Sequence, residues 1–190
     1  MCGRYTLHDK VLVKSQFGAD IIPDYNICPQ KKVLTLNNNL VPCHMSWGYR
    51  AVWSKYPPNL INARVETIHE KPSFNSSERC IFVANGYFEW KATKYTKVPY
   101  YHYLKDKLIF FAGIYNDKKE CCIVTRPSKK RNSFVHSRQP CILQENDFDC
   151  WLSKQYRIGN ESPYDLSFYE VSKKVNSVIN NDKSNISKLT

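Results

Sequence analysis

A succession of short apolar runs, each closed by a turn signal, limits the folds open to this chain more than any other feature. Extended-type runs occur at Arg4 to His8, Lys32 to Leu36, Leu40 to Trp47, Ile61 to Thr67, Arg79 to Ala84, Pro99 to Leu104, Leu108 to Tyr115, Glu120 to Thr125, Cys141 to Leu143 and Leu166 to Val171. Strands this short, with few helical stretches between them, predict one α+β domain dominated by a curved, barrel-like, mainly antiparallel sheet. Asn37-Asn38-Asn39 predicts one hairpin, because Asn tolerates αL turn positions. Lys105-Asp106-Lys107 predicts another, between Pro99–Leu104 and Leu108–Tyr115. Pro23 to Gln30, Ala51 to Asn59 and the basic stretch Pro127 to Gln139 read as loops, and Asn85-Gly86 as a strand break. Asp9 can cap a short helix that ends at Gly18. Further short helices are predicted around Glu70 to Ser77 and from Glu145 or Asn146 to about Gln155, the latter with Phe148, Trp151 and Leu152 at core spacing. The domain is expected over residues 1–180. Residues 181–190 are expected as a polar, disordered tail.

Charge narrows the partners. A formal net charge of +11 over 190 residues favours a polyanion. Thirteen Tyr and four Trp are interleaved with the Lys and Arg, and aromatic planes beside cations suit single-stranded nucleic acid, where bases can stack. A merely soluble basic protein has the same composition. The longest apolar run, Leu108 to Tyr115, is too short to span a bilayer, so no membrane association is expected. The first twenty residues lack an apolar run of signal-peptide length. Eight cysteines without a C-x-x-C, and five scattered histidines, argue against a zinc site. Reduced thiols in a cytoplasmic or nuclear compartment are expected, with no metal or organic cofactor.

The start of the chain, Met1-Cys2-Gly3-Arg4, has its own chemistry. A small second residue invites removal of Met1, which would leave Cys2 terminal. A terminal cysteine carries an amine and a thiol on adjacent carbons. The amine condenses with an aldehyde to an imine, and the thiol closes on the imine carbon to a five-membered thiazolidine. An α-amine titrates near 8 and a lysine near 10.4, so at neutral pH roughly 300 times more of the α-amine is nucleophilic. Taken alone, Cys2 is also compatible with being an ordinary small residue.

Three other segments place polar groups at turns. Ile61 to Thr67 contains Asn62 and Arg64. Ala84 to Trp90 sets Glu89 between aromatic residues just after a strand break, and an apolar setting raises a carboxyl pKa towards the range useful for proton transfer. Phe134 to Arg138 sets His136, a residue type that changes charge near neutrality, beside a cation. Each has a structural alternative: Glu89 as a snorkelling surface residue, His136 as a satisfied loop histidine, Asn62 as a turn residue.

Taken together, the chain resembles the SRAP family, the SOS-response-associated peptidase fold that senses abasic sites in DNA. The resemblance rests on Met1 to Tyr5, Tyr25 to Pro29, Trp47-Gly48, Asn62 to Thr67 with Glu70 to Phe74, Gly86 to Trp90, Phe111 to Tyr115, Thr125, and His136 with Arg138 and Pro140. It runs in order over roughly residues 2 to 178. Departures are Cys28 for the usual alanine, Ser137 and Gln139 around the histidine, Phe88 for a common tyrosine, and a short loop between Trp47 and Asn62. The resemblance implies that Cys2 crosslinks covalently to the ring-opened aldehyde of an abasic site in single-stranded DNA, or at a single–double-strand junction, as a monomer. It implies Glu89 as proton shuttle, His136 in sugar-ring opening and reversal, and Asn62 in orienting the adduct. Arg4, Arg64 and Arg138 are then the phosphate ligands, with Lys71 weaker, and Trp47 and Thr125 contact bases or backbone. Lyase-like chemistry and autoproteolytic removal of Met1 would make the chain an enzyme. The alternatives are an N-terminal-nucleophile peptidase, with the α-amine as base for the thiol, and a non-catalytic basic nucleic-acid-binding module.

Overall fold

Two sheets share the strands of the computed structural model, which describes residues 2–50, 58–155 and 165–189. In chain order the strands are β1 (Tyr5–Leu7), β2 (Asp24–Ile27), β3 (Lys32–Leu36), β4 (Pro42–Trp47), β5 (Asn62–Arg64), β6 (Glu78–Ala84) and β7 (Gly86–Ala92). They continue with β8 (Lys97–Tyr103), β9 (Ile109–Tyr115), β10 (Glu120–Pro127), β11 (Arg138–Pro140), β12 (Ile142–Leu143) and β13 (Ser167–Glu170). The α-helices among the described residues are α1 (Lys10–Phe17) and α2 (Phe148–Leu152). The first sheet runs β13-β8-β7-β1-β2. The second runs β11-β10-β4-β3-β6-β9-β12, and an extra β9–β10 pairing closes it into a ring. All pairings are antiparallel except those of β10 with β4 and β5. The expected α+β, barrel-like, mainly antiparallel architecture is what the chain adopts.

The ring explains the strands that read as unbroken apolar runs. Every residue of β9, and every residue of β6 after Glu78, is buried. A strand covered on both faces needs apolar side chains on both. Alternation returns in the first sheet. One face carries Tyr5 and Tyr87, which pack against the barrel through Phe111 at ring distances of 5.9 and 5.8 Å. The other carries Phe88 and Tyr101, covered by Val171 and Val175 from the C-terminal segment.

Asn85-Gly86 is where the chain passes from one sheet to the other. A Cβ on Gly86 would lie 2.5 Å from the His102 carbonyl and the Tyr101 ring, so only glycine fits that approach. Asn85 Oδ1 accepts hydrogen bonds from the backbone N–H groups of His8 (2.7 Å) and Asp9 (3.0 Å). The break read in the sequence is therefore the hinge between sheets. α1 is capped as expected: Asp9 Oδ1 accepts from Leu12 N–H at 2.9 Å, and Gly18 takes φ 65° with its N–H on the Lys14 carbonyl.

Several local expectations change. The Asn37–Asn39 hairpin forms between β3 and β4, but the positive φ falls on Leu40 (58°). Asn37 acts instead as acceptor for the N–H groups of Asn39 and Val41. No hairpin joins β8 and β9. β8 pairs with β7 and β13, β9 pairs with β6, β10 and β12, and Lys105-Asp106-Lys107 is a second crossover. Part of the Pro23–Gln30 loop is β2. The helix expected over Glu70–Ser77 shrinks to a 3-10 turn, Pro72–Phe74, and that from Glu145 to Gln155 to a 3-10 turn followed by α2. The predicted Ala51–Asn59 loop lies outside the described residues except for its last two positions.

The tail expected to be disordered over 181–190 is instead packed, as far as residue 189 is described. Lys183–Ile186 forms a 3-10 turn, Asn185 is fully buried, and Val171 bridges Lys188. Asn185 Nδ2 donates to the Asn180 carbonyl at 2.7 Å, and Asn181 Oδ1 accepts from the Tyr25 N–H at 2.7 Å. Asn26 Nδ2 donates to the carbonyls of Asn180 (2.6 Å) and Ser177 (2.9 Å), and Tyr169 Oη donates to Ile186 O at 2.6 Å.

Candidate active site around the amino-terminal cysteine

β1 enters the first sheet between β7 and β2, and this insertion delivers the start of the chain to the seam between sheet and barrel. Tyr5 pairs with Tyr87 and Thr6 with Gly86. Phe88 N–H extends the ladder to the Arg4 carbonyl at 2.9 Å. Tyr5 anchors the segment, fully buried with its ring 5.3 Å from that of Trp47. The Arg4 guanidinium donates to Asn26 Oδ1 (2.7 Å) and to the Val175 carbonyl (2.9 Å), tying the first strand to the C-terminal segment.

Cys2, held in this way, is fully buried. Its carbonyl accepts a hydrogen bond from Asn62 Nδ2 at 2.9 Å, and Asn62 comes from β5, which the parallel pairing with β10 brings across the barrel. Asn62 Oδ1 is buried and accepts no hydrogen bond among the described residues. Burial, and then the nearby Glu89 carboxylate, push the Cys2 thiol well above the usual cysteine range, with the amino-terminal charge opposing. The resting thiol is therefore protonated.

Glu89 sits on β7 with 3% exposure. Burial raises its carboxyl pKa, while the amino-terminal charge and His136 pull it down. The sequence expectation of a carboxyl in an apolar setting is met, and the alternative of a snorkelling surface residue is not. Glu89 and His136 line a common cavity of about 420 Å³ with Trp90, Lys97 and Asn176. Cys2 and Asn62 do not line it. His136 Nδ1 is fixed by the backbone N–H of Arg138 at 3.0 Å. Cys2, Asn62, Glu89 and His136 thus form one connected group: Asn62 bonded to Cys2, Cys2 beside Glu89, and Glu89 sharing a cavity with His136.

The residues expected to contact DNA divide differently. Arg64 and Lys71 are exposed. Trp47 is fully buried, with Nε1 donating to the Ile61 carbonyl at 3.0 Å, and presents no face to a base. Thr125 is also fully buried, its hydroxyl on the Ala63 carbonyl. Arg138 is mostly enclosed and forms a two-toothed ion pair with Glu66, Nη1–Oε1 2.8 Å and Nη2–Oε2 2.9 Å, while Nη2 also reaches the Thr125 carbonyl at 2.8 Å. With Arg4 engaged as well, four of the six expected DNA contacts, Arg4, Trp47, Thr125 and Arg138, make hydrogen bonds inside the protein in this conformation. Lys97 and Asn176 were not singled out from the sequence. They reach the cavity from a hairpin end and a C-terminal 3-10 turn that carry no local motif.

Cys2 is thus buried and held by the Asn62 amide, and Glu89, a carboxyl of raised pKa, lies near it and lines a cavity with His136. The family model described as SOS response associated peptidase (SRAP) matches residues 1–178, and the chain belongs to that family. It is 34% identical over 218 residues to the abasic site processing protein YoqW of Bacillus subtilis (strain 168), covering 95% of this chain and 96% of that one. It is 31% identical over 180 residues to the abasic site processing protein YedK of Escherichia coli (strain K12), covering 82% and 81%. A solved structure of a protein from Bacteroides thetaiotaomicron matches with a TM-score of 0.81 over 100% of both chains at 21% identity, a likeness of fold alone.

Proposed function

We propose that this protein captures the aldehyde of abasic sites in single-stranded DNA through Cys2 once Met1 is removed. The observation that carries the reading is the Asn62–Cys2 hydrogen bond at 2.9 Å beside a buried Glu89. Family membership and relatives named for abasic site processing support it.

The order of steps follows from protonation. A thiol held neutral by burial is a weak nucleophile, so the amine adds first. It attacks the aldehyde carbon to give a carbinolamine. Glu89, protonated more readily than an ordinary carboxyl, gives a proton to the leaving hydroxyl, and as water departs its carboxylate takes back the nitrogen proton to leave the imine. The Cys2 sulfur then adds to the imine carbon, its proton passing to the nitrogen, and the thiazolidine closes. One water is lost overall. His136, across the same cavity, assists opening of the sugar ring and the reverse reaction. Asn62 holds the Cys2 carbonyl and offers Oδ1 to a sugar hydroxyl. The whole matched region acts as one domain, in a single copy, without a metal or cofactor.

Incubation with uracil-containing single-stranded DNA treated with uracil glycosylase, followed by a denaturing gel, tests this. A shifted band that depends on the glycosylase is expected, with a mass equal to the chain lacking Met1 plus the DNA minus one water. Its absence with a correctly trimmed chain removes the reading. The peptidase reading draws on the family's description, and cleavage of an amide substrate without any DNA adduct would favour it.

A further inference from the structure

The outer part of the first sheet carries an aromatic ledge that the chemistry above does not use. Phe134, two residues before His136, is 56% exposed. Phe168 of β13 lies 6.4 Å from it with the ring planes 21° apart. Tyr100 of β8 meets both rings edge-on, at 6.2 and 6.0 Å. Two cations are held against these rings: the Lys91 ammonium 3.1 Å from the Phe134 centroid, and the Arg131 guanidinium 5.5 Å from that of Phe168.

Register places the ledge next to the reactive group. Tyr100 stands directly opposite Glu89, and Lys91 is two residues further along β7, on the same side of the strand as Glu89. The ledge therefore flanks Glu89 in the strand register, while none of its residues lines the Glu89–His136 cavity. Glu170, opposite Tyr100, is the carboxylate on its outer edge.

We propose that this ledge stacks a nucleobase adjacent to the lesion, with Lys91 and Arg131 on the neighbouring phosphates. It deepens the abasic-site reading and rests on it. Exposed aromatic planes beside cations bind single strands irrespective of sequence, since every base has a π-face. A lesion that has lost its base offers nothing to stack, so the flanking base is the natural anchor. The net charge of +11 supplies the complementarity to a polyanion.

The test uses a non-reactive tetrahydrofuran abasic analogue at the centre of a single-stranded oligonucleotide, so that binding is read without crosslinking. A second oligonucleotide replaces the flanking bases by the same analogue. Fluorescence anisotropy is measured for the parent, Phe134→Ala, Phe134→Trp and Lys91→Gln. Phe134→Ala should weaken binding of the base-containing strand by about 5- to 150-fold and change binding of the stripped strand little. Phe134→Trp should retain affinity. Lys91→Gln should shallow the log–log salt slope by up to about 0.7. Equal affinities for parent and Phe134→Ala, or an equal loss on both strands, overturns the ledge. A parent that crosslinks in the gel assay yet shows no dependence on Phe134 sinks the ledge and leaves the chemistry standing. A Phe134-dependent preference for the base-containing strand, without crosslinking, supports the ledge and sinks the chemistry.

Discussion

Arg138 grips Glu66 with both of its terminal nitrogens, at 2.8 and 2.9 Å, while its backbone N–H holds His136 Nδ1 at 3.0 Å. The turn after β5 and the loop bearing the histidine are thus joined through one residue. Losing either charge of the pair should cost about 1–2 kcal/mol, moderated by the 35% exposure of Glu66. Glu66→Gln and Arg138→Ala should show coupling above about 0.5 kcal/mol in a double-mutant cycle read by urea denaturation. Strict additivity would mean that the pair is not formed. The Arg138 hydrogen bond lowers the Glu66 pKa. This stabilisation is present above the unfolded carboxyl pKa of about 4.3 and is lost as pH falls through the lower folded value.

Glu89 has the opposite sign. Burial raises its folded pKa, so the native state binds the proton more tightly than the unfolded chain. Stability should fall as pH rises from about 4.3 through the raised folded value, and Glu89→Gln should flatten that decline. The same substitution should slow crosslinking by roughly 10²- to 10⁴-fold with little effect on binding to intact DNA. Parent-like rates would make Glu89 structural.

His102 provides a second pH signature. It is 1% exposed, stacked on Tyr87 at 4.6 Å, and its pKa is pulled down to about 4 by burial. The unfolded chain binds its proton near pH 6.5. Stability from this residue is therefore complete above about 6.5 and declines as pH falls towards 4, by roughly 3 kcal/mol in all. Urea titrations of the parent and His102→Gln across that window should diverge in slope. Parallel curves would show that His102 titrates as in water.

Salt dependence separates phosphate ligands from scaffold. If four to six phosphates are neutralised, the log–log slope on single strands should be about −3 to −4. Arg64→Ala and Lys71→Ala should each shallow it by up to about 0.7. Arg4→Met and Thr125→Val, whose side chains are engaged inside the protein, should leave the slope unchanged and lower the urea midpoint. A slope change from Thr125→Val with an unchanged midpoint would contradict that placement.

Extending the chain ahead of Met1, so that it cannot be trimmed, turns the Cys2 amine into an amide. Crosslinking should vanish while DNA affinity persists. With a free terminus, Cys2→Ser should form an imine that borohydride traps and that otherwise hydrolyses. A stable untrapped adduct from Cys2→Ala would overturn the thiazolidine.

Much of the site was legible because its chemistry depends on residue types beside turns. Glu89 follows the Asn85-Gly86 break between aromatic residues, and both its burial and its raised pKa agree with that reading. The family resemblance implies Arg4, Trp47, Thr125 and Arg138 as DNA contacts, while in the fold their side chains are bonded inside the protein. Their hydrogen bonds to Asn26, Ile61, Ala63 and Glu66 are long-range in sequence, and no local pattern announces them.

The sequence alone determined the short-strand α+β character, the α1 caps and the break at Asn85-Gly86, because each follows from local backbone preference. Tertiary structure alone decided that β8 and β9 part into different sheets, that residues 183–186 form a turn on the domain, and that Phe134 stands exposed against Tyr100 and Phe168. The physical reason is that strand partnership and the satisfaction of buried polar groups depend on segments distant in sequence. A hydrophobic run states that it will be buried, but not against what.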